Sequence, residues 1–365
     1  MTSAESKFFE LLRIALGTQE ELVSTISLEE WDEIAEIAAK QCVMGMLYSA
    51  IELLPKGQRP PNNILLAIHE RVEEIEERNR YMNKLTYAAS KRFEVDGFPN
   101  CVLKGQGIAT LYPNPLRRES GDIDIWVKGE RKEIVEYVQK IGNGEKPNYH
   151  HIGFSLKDGT PVEAHFTPSL SFNPIINLRL QRWFKEQQDS QQNTYMDLVG
   201  TPKTIPVPTL EFNAVFILHH LFKHLAYEGI VLRQIIDYFY VLCNINNQSK
   251  EPHYSEEMKL RIHNRIAEFN MKKFSEAISW ILLKYLNIQP SYLITDTNEK
   301  EGEFLINQIF NAKPIKAKDE IKEENRFIKR YHNARPYFSH YFTEAIFYPL
   351  QSVFSLIRKF IKLDI

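Results

Sequence analysis

Cys101-Val-Leu-Lys-Gly-Gln-Gly107, Arg117-Arg-Glu-Ser-Gly-Asp-Ile-Asp-Ile-Trp-Val127 and Val162-Glu-Ala-His-Phe166 are the runs on which the reading of this chain turns. Side chains of a strand alternate between its faces, so Asp122 and Asp124 project together, ~7 Å apart, while Ile123 and Ile125 enter the core. Two carboxylates held this close are costly to keep ionised unless a cation lies between them, and hard oxygen donors suit Mg²⁺ or Mn²⁺. The same alternation puts Glu163 and His165 on one face, with Val162, Ala164 and Phe166 on the other. If the Glu163 strand lies beside the Asp122 strand, Glu163 is the third carboxylate. Such a set can hold two metals ~3.5–4 Å apart for in-line phosphoryl or nucleotidyl transfer.

Upstream, Lys104-Gly105 ends a strand and opens a helix, where free backbone N–H groups attract phosphate and a residue without Cβ lets the phosphate come close. Gln106 follows in the same turn. Arg117 and Arg118 offer forked donors for the remaining phosphate charge. Lys104, Gly105, Gln106, Arg117 and Arg118 therefore form the expected phosphate-binding set. Lys104 also has a plainer reading as a strand-end surface charge.

Around these runs, residues 1–95 follow a helical period, with Phe8, Leu11, Leu12 and Ala15, then Leu65, Ile68, Val72 and Ile75, on apolar faces. Ser27 and Glu30 have capping-box spacing, and Leu54 to Pro61 is a loop broken by proline and glycine. From Asp96 to about Val207 the pattern is α/β. Strands are expected at Asn100–Leu103 and Asp122–Val127, with helices at Gln106–Leu111 and Arg131–Ile141. A hairpin joins Tyr149–Leu156 to Pro161–Phe166 through Asp158-Gly159, read as a two-residue turn with both residues at positive φ. Helical periodicity returns from Thr209, over Phe212–Cys243, Glu256–Leu286 and Ser339 to the end. The expected architecture is α+β: an N-terminal helical region (1–95), a core with a small mixed sheet (96–207) and a C-terminal helical region (208–365). Lys313–Arg330 reads as a solvated charged face.

Composition narrows the class. At 365 residues, 43% hydrophobic and 25% charged, the chain has the make-up of a globular protein with a sizeable core. Cys42, Cys101 and Cys243 are scattered and odd in number, which argues against a disulfide framework or thiolate zinc site and for a reducing cytoplasm. Charges interrupt the N-terminal apolar positions, unlike a signal peptide, and no apolar run reaches membrane-spanning length. A net charge of −2 provides no overall field for a polyanion and argues against nucleic acid as the main partner. The aromatic C-terminal run Tyr341–Lys362 ends basic, as membrane-surface helices do, although core packing is the favoured reading of it.

The order Leu103-Lys104-Gly105, a helix reaching Leu111-Tyr112-Pro113, an arginine, Asp122-Ile-Asp124-Ile, then Val162-Glu163-Ala-His165 resembles the polymerase-β-like nucleotidyltransferases. Within them it is similar to a bacterial family of uncharacterised nucleotidyltransferases found in part beside polysaccharide loci. The resemblance is firmest over residues 96–170. It extends to a helix bearing His220, His224, Arg233 and Asp237, similar to a His-rich family helix that ends in Arg-x-x-x-Asp. It implies a small mixed sheet with helices, Mg²⁺ or Mn²⁺ as cofactor and a nucleoside triphosphate as substrate. Gly105-Gln106 stands where the superfamily usually has Gly-Gly or Gly-Ser, and Glu163 where it often has Asp.

The implied activity is transfer of a nucleoside monophosphate to a hydroxyl of a small molecule, sugar or protein, with Asp122, Asp124 and Glu163 as catalytic metal ligands. The alternatives are a non-catalytic nucleotide-binding regulatory protein and an antitoxin-type or protein-modifying member of the superfamily. His165 is either a buried histidine satisfied by the backbone or part of an acceptor pocket with His220, His224, Arg233 and Asp237. His220 and His224 have metal-ligand spacing but lack the glutamate of a His-Glu-x-x-His protease. Arg233 and Asp237 could equally form an intrahelical ion pair.

Overall fold

Four helices lead the chain: α1 (Ser3–Leu16), α2 (Leu28–Lys40), α3 (Met44–Leu53) and α4 (Asn62–Val95). The computed structural model describes residues 2–361, except 143, 157, 191–193, 226–228, 249–251 and 312–322. Capping boxes start α1 and α2: Thr2 pairs reciprocally with Glu5, and Ser27 with Glu30. Phe8, Leu11 and Leu12 of α1 are fully buried, so the N-terminal segment is part of the core. The apolar stripe of α4 runs from Ile64 through Val72 to Phe93, interrupted by buried Asn79, Asn83, Thr86 and Ser90.

The sheet follows directly. β1 (Asn100–Leu103), α5 (Gly105–Ala109), β2 (Ile123–Val127), α6 (Arg131–Ile141), β3 (His151–Ser155) and β4 (Pro161–His165) build four strands in the order β1-β2-β4-β3. β2 runs antiparallel to β1 and parallel to β4, and β3 runs antiparallel to β4, giving the expected mixed sheet. One face carries Ile123, Ile125, Val162, Ala164 and Phe154 against Met82 and Phe93 of α4 and Ile134 and Val138 of α6. The opposite face carries Trp126, stacked on Phe212 at 5.4 Å. Period-two alternation thus gives each strand an apolar anchor on one side and leaves Asp124, Glu163 and His165 for the other.

The hairpin turn differs from the two-residue reading. Gly159 N–H closes on Leu156 O, and Leu156 N–H in turn donates to Thr160 O. Gly159 at φ +87 ends this turn, the position where positive φ favours glycine.

Next come α7 (Pro174–Gln187) and a short ribbon, β5 (Tyr195–Met196) with β6 (Ile205–Pro206), then α8 (Leu210–Leu225) and α9 (Leu232–Gln248). The expected single helix Phe212–Cys243 is therefore two helices. Gly229, at φ +80, closes its N–H on His224 O, and α9 folds back along α8. A second expected helix, Glu256–Leu286, also divides, into α10 (Pro252–Glu268) and α11 (Lys272–Leu286), because Asn270 takes φ +57 between them. The last elements are α12 (Glu299–Asn311), α13 (Glu323–Ala334) and α14 (Phe342–Ile361).

Of the charged run Lys313–Arg330, residues 313–322 lie outside the described residues; Glu323 onward is helix α13. The start of α14 packs inward through Ala345 and Tyr348, as does Tyr341 just before it. The basic end of the run that suggested membrane contact lies outside the described side chains. Among the described residues no helix is long and apolar enough to cross a membrane. The first and last helical regions meet in one core: Phe9 of α1 packs on Tyr285 of α11 at 4.6 Å, and Thr18 donates to Leu286 O at 2.8 Å.

Candidate active site

The register of the parallel pair builds the site. Asp124 lies opposite Glu163 across β2 and β4, and Asp122 stands just before β2 on the same face. Lys104 completes the group from the end of β1, its Nζ 3.1 Å from Asp124 Oδ2. Lys104 has φ +46 and ψ −146, a costly conformation for a residue with a Cβ, and Gly105 follows at φ +39. The strand-to-helix turn thus brings the Lys104 ammonium to Asp124 and sets Lys104 and Gly105 in the wall of the cleft.

Histidines line the other side of the carboxylates. His165 Nε2 is 2.8 Å from Asp124 Oδ1 and 3.2 Å from Glu163 Oε2, and His151 Nδ1 is 3.2 Å from the same Glu163 oxygen. His150 Nε2 lies 3.3 Å from His151 Nδ1. His165 Nε2 therefore faces carboxylates, and its buried Nδ1 has no hydrogen-bond partner among the described residues, so the backbone does not satisfy it as one reading expected. His150 and His151 are site residues that motif reading missed. The signal lay in the hairpin: the register off the Asp158-Gly159 turn sets His151 opposite His165.

Charge coupling follows from this packing. Asp122 titrates above the usual carboxylate range, mainly through repulsion by Asp124 and then through burial. Burial pushes Asp124 upward too, but the Lys104 charge and the His165 hydrogen bond outweigh it and hold Asp124 below that range. Glu163 is likewise depressed: the His165 hydrogen bond overcomes burial. His165 is raised, because its bonds to Asp124 and Glu163 exceed the burial effect, while burial pushes His151 down to about 4. These oxygen donors suit a hard divalent cation. Asp124, Glu163 and His165 place one ligand atom each within 4.8 Å of one another.

A cavity of about 70 Å³ adjoins the carboxylates, lined among others by Lys104, Gly105, Arg118, Asp122, His220 and Arg233. Arg118 and Asp237 form a buried two-pronged pair, Nε–Oδ1 and Nη2–Oδ2 both 2.7 Å, and Tyr112 Oη donates to Asp237 Oδ1 at 2.7 Å. Asp237 therefore pairs with Arg118, and the expected Arg233–Asp237 intrahelical pair is replaced. Arg233 Nη1 instead donates to Glu119 O at 2.9 Å, leaving its buried Nε without a partner. His220 reaches the cavity, with the His224 ring 4.2 Å behind it. The turn at Gly229 separates these histidines on α8 from Arg233 and Asp237 on α9, where one helix was expected.

Two members of the expected phosphate set are not brought to the cleft. Arg117 turns toward α3 and α4, where it pairs with Glu52 and Glu76, bonds Ser49 and lies over the Tyr48 ring. Arg117 closes a 3₁₀ turn, Pro115–Arg117, and Arg118 leaves it extended at φ −80 and ψ 113, so the two side chains take different partners. Gln106 is buried, its amide donating to Asn83 Oδ1 at 3.0 Å. The polar stripe of α4, also missed in the sequence, carries the loop before Asp122: Asn79 donates to Leu116 O and Arg118 O and accepts from Ser120.

Among solved structures, the chain is similar to an antigenic nucleotidyltransferase-like protein from Paracoccidioides brasiliensis, at 13% identity over 52% of this chain and 92% of that one, with a TM-score of 0.31. No curated protein matches the chain. The pattern of the family described as "Uncharacterised nucleotidyltransferase" matches residues 27–271, more than half of the sequence and all of the site above, and the chain belongs to that family.

Proposed function

We propose that the chain moves a nucleoside monophosphate from a nucleoside triphosphate to a hydroxyl of a small-molecule, sugar or protein acceptor, with Mg²⁺ or Mn²⁺. The observation that carries this reading is the β2–β4 register, which sets Asp124 beside Glu163 with Asp122 on the same face. In the reaction the acceptor oxygen bonds to the α-phosphorus, the bond between that phosphorus and the α–β bridging oxygen breaks, and pyrophosphate leaves. Asp122, Asp124 and Glu163 would hold the divalent cations, which when bound supply Lewis-acid stabilisation of the transferring group.

The chain's own residues divide the remaining work. Glu163 would hold the cation on the nucleophile side and help accept the hydroxyl proton. Lys104 and Arg233 line the cavity beside Gly105 and supply positive charge toward a phosphate. Arg118 is committed to Asp237 and acts by shaping the wall. The cavity has room for a cation and the edge of a phosphate, so base, ribose and acceptor would lie on its open side, near His220 and His224. The free, separate thiols of Cys42, Cys101 and Cys243 support a reducing cytoplasmic setting.

One observation favours a second reading, a non-catalytic nucleotide-binding regulatory protein: Lys104 already compensates Asp124. Pyrophosphate release decides between them. With Mg²⁺, a panel of triphosphates and cell extract as acceptor source, the wild type should release pyrophosphate. Asp122→Asn combined with Asp124→Asn should lower turnover by orders of magnitude while thermal unfolding persists. A wild type inert with every triphosphate, whose nucleotide affinity the double substitution leaves unchanged, would favour the regulatory protein.

A further inference from the structure

We propose that a second cavity, separated from the carboxylates by Tyr112, Asp237 and Arg118, binds a neutral amino-purine nucleoside. It measures about 470 Å³ and lies where the end of α1, the loop after α5, the C-terminal half of α9 and the segment after α11 meet. That volume falls in the usual range of small-molecule sites, about 300–1,000 Å³.

The lining decides the charge of the occupant. None of the described residues that line this cavity is charged, whereas Lys104, Arg118, Asp122 and Asp124 all line the catalytic one. A phosphate or carboxylate taken in here would lose water and gain no counter-charge. The occupant is therefore neutral.

Aromatic residues decide its shape. Phe239 and Tyr240 come from α9, Tyr112 from the loop after α5 and Tyr292 from the segment after α11. The Tyr112 and Tyr240 rings pack 4.2 Å apart, so part of this wall is already a fixed aromatic surface. Rings contributed by three segments suit a planar heteroaromatic molecule.

Two amides decide its polar edge. Asn244 and Asn247 stand three residues apart on the face of α9 that lines the cavity. Asn244 Nδ2 donates to Tyr240 O at 2.8 Å, which leaves its Oδ1, an acceptor, without a partner among the described residues. Asn247 Oδ1 accepts from Tyr292 Oη at 3.4 Å, which leaves its Nδ2 as a donor. An acceptor beside a donor complements an exocyclic amino group next to a ring nitrogen, the edge by which amides read adenine.

The cavity is not the seat of the acceptor. Tyr112 lines it and donates through its hydroxyl to Asp237 Oδ1 at 2.7 Å, while Asp237 and Arg118 line the catalytic cavity. These side chains stand between an occupant and the carboxylates. An occupant instead packs against the tyrosine that supports the Arg118–Asp237 pair.

The test is calorimetric titration of the full chain with adenosine, in chelator and without triphosphate, so its result does not depend on the transferase reading. Cys243, a free thiol, lines the cavity and reports where the ligand sits. Adenosine should bind and should slow alkylation of Cys243 but not of Cys42, and adenosine monophosphate should protect Cys243 no better. Purine riboside, which lacks the amino group, should bind roughly tenfold more weakly than adenosine, and Asn244→Leu should weaken adenosine to a similar degree. Gln289→Trp, at an exposed position on the rim, fills the mouth and should abolish the protection, which keeps the test open if Asn244→Leu fails to fold.

Unprotected Cys243 at millimolar adenosine would overturn the proposal. So would adenosine binding that Asn244→Leu and Gln289→Trp both leave unchanged, which would put the ligand elsewhere. Purine riboside as tight as adenosine would overturn the assignment of an amino-purine.

Discussion

Replacing Asp237 by Ala leaves the Arg118 guanidinium buried with no counter-charge. Both side chains are 5% exposed, and both carboxylate oxygens are used by Arg118, with Tyr112 adding a third donor. Removing one partner of a buried, hydrogen-bonded ion pair costs about 3–5 kcal/mol, chiefly because the remaining charge stays desolvated. For a chain of 365 residues unfolding in one transition, that converts to a fall of roughly 5 °C in Tm. The double change Arg118→Met with Asp237→Leu should recover much of the loss, since it removes both charges together and leaves only the Tyr112 hydroxyl without its acceptor. The assay is thermal and urea unfolding of wild type, the single Ala variant and the double variant. A single variant within about 1 °C of wild type, or a double variant no better than the single, would refute the claim that this pair is a desolvated structural clamp on the cavity wall.

Other outcomes follow from the same structure. A Cβ on Gly45 would lie 2.1 Å from Arg117 O, so Gly45→Ala should destabilise the chain by about 1–3 kcal/mol and displace the loop before Asp122, measurable by urea unfolding and Mn²⁺ affinity. Burial raises Glu344 to about 7, above its unfolded value. Its contribution is therefore complete below an unfolded pKa of about 4.3 and is lost as pH rises through about 7. Thermal unfolding of Glu344→Gln should lack that decline, which is worth up to about 4 kcal/mol; identical pH profiles for the two proteins would count against it. Without metal, Asp122→Asn alone should match or exceed wild-type Tm, because it relieves the repulsion that raises Asp122 and leaves the Lys104–Asp124–His165 contacts in place; a large loss of Tm would show Asp122 to be structural.

Much of the core was legible because its signals are local. β1 and α6 begin and end where alternation and helical period put them, and Asp124 and Glu163 share a face because each strand's apolar residues must share the other. What stayed hidden depends on contacts between distant segments. Arg117 and Arg118 look alike in sequence, and only Glu52 and Glu76 on one side and Asp237 on the other assign them opposite directions. The run Phe212–Cys243 is apolar enough to read as one helix, and Gly229 at positive φ is a weak single-residue signal for the turn that folds α9 back. Asn79 and Asn83 sit within a helical period like any surface polar residues, and become site supports only because the loop before Asp122 and the α5 turn pack on them. His151 enters the site through strand register, which needs the turn to be placed first.

Nucleotidyl transfer differs from hydrolysis and from phosphoryl transfer in which phosphate stays with the acceptor. The most direct test incubates the purified chain with Mg²⁺ and cell extract in two parallel series, one with α-labelled and one with γ-labelled triphosphates. Label should pass from the α position to an acceptor, γ label should leave as pyrophosphate, and chelation should abolish both. Label that reaches an acceptor from the γ position, or α label that never leaves the free nucleotide with any triphosphate, would contradict the account.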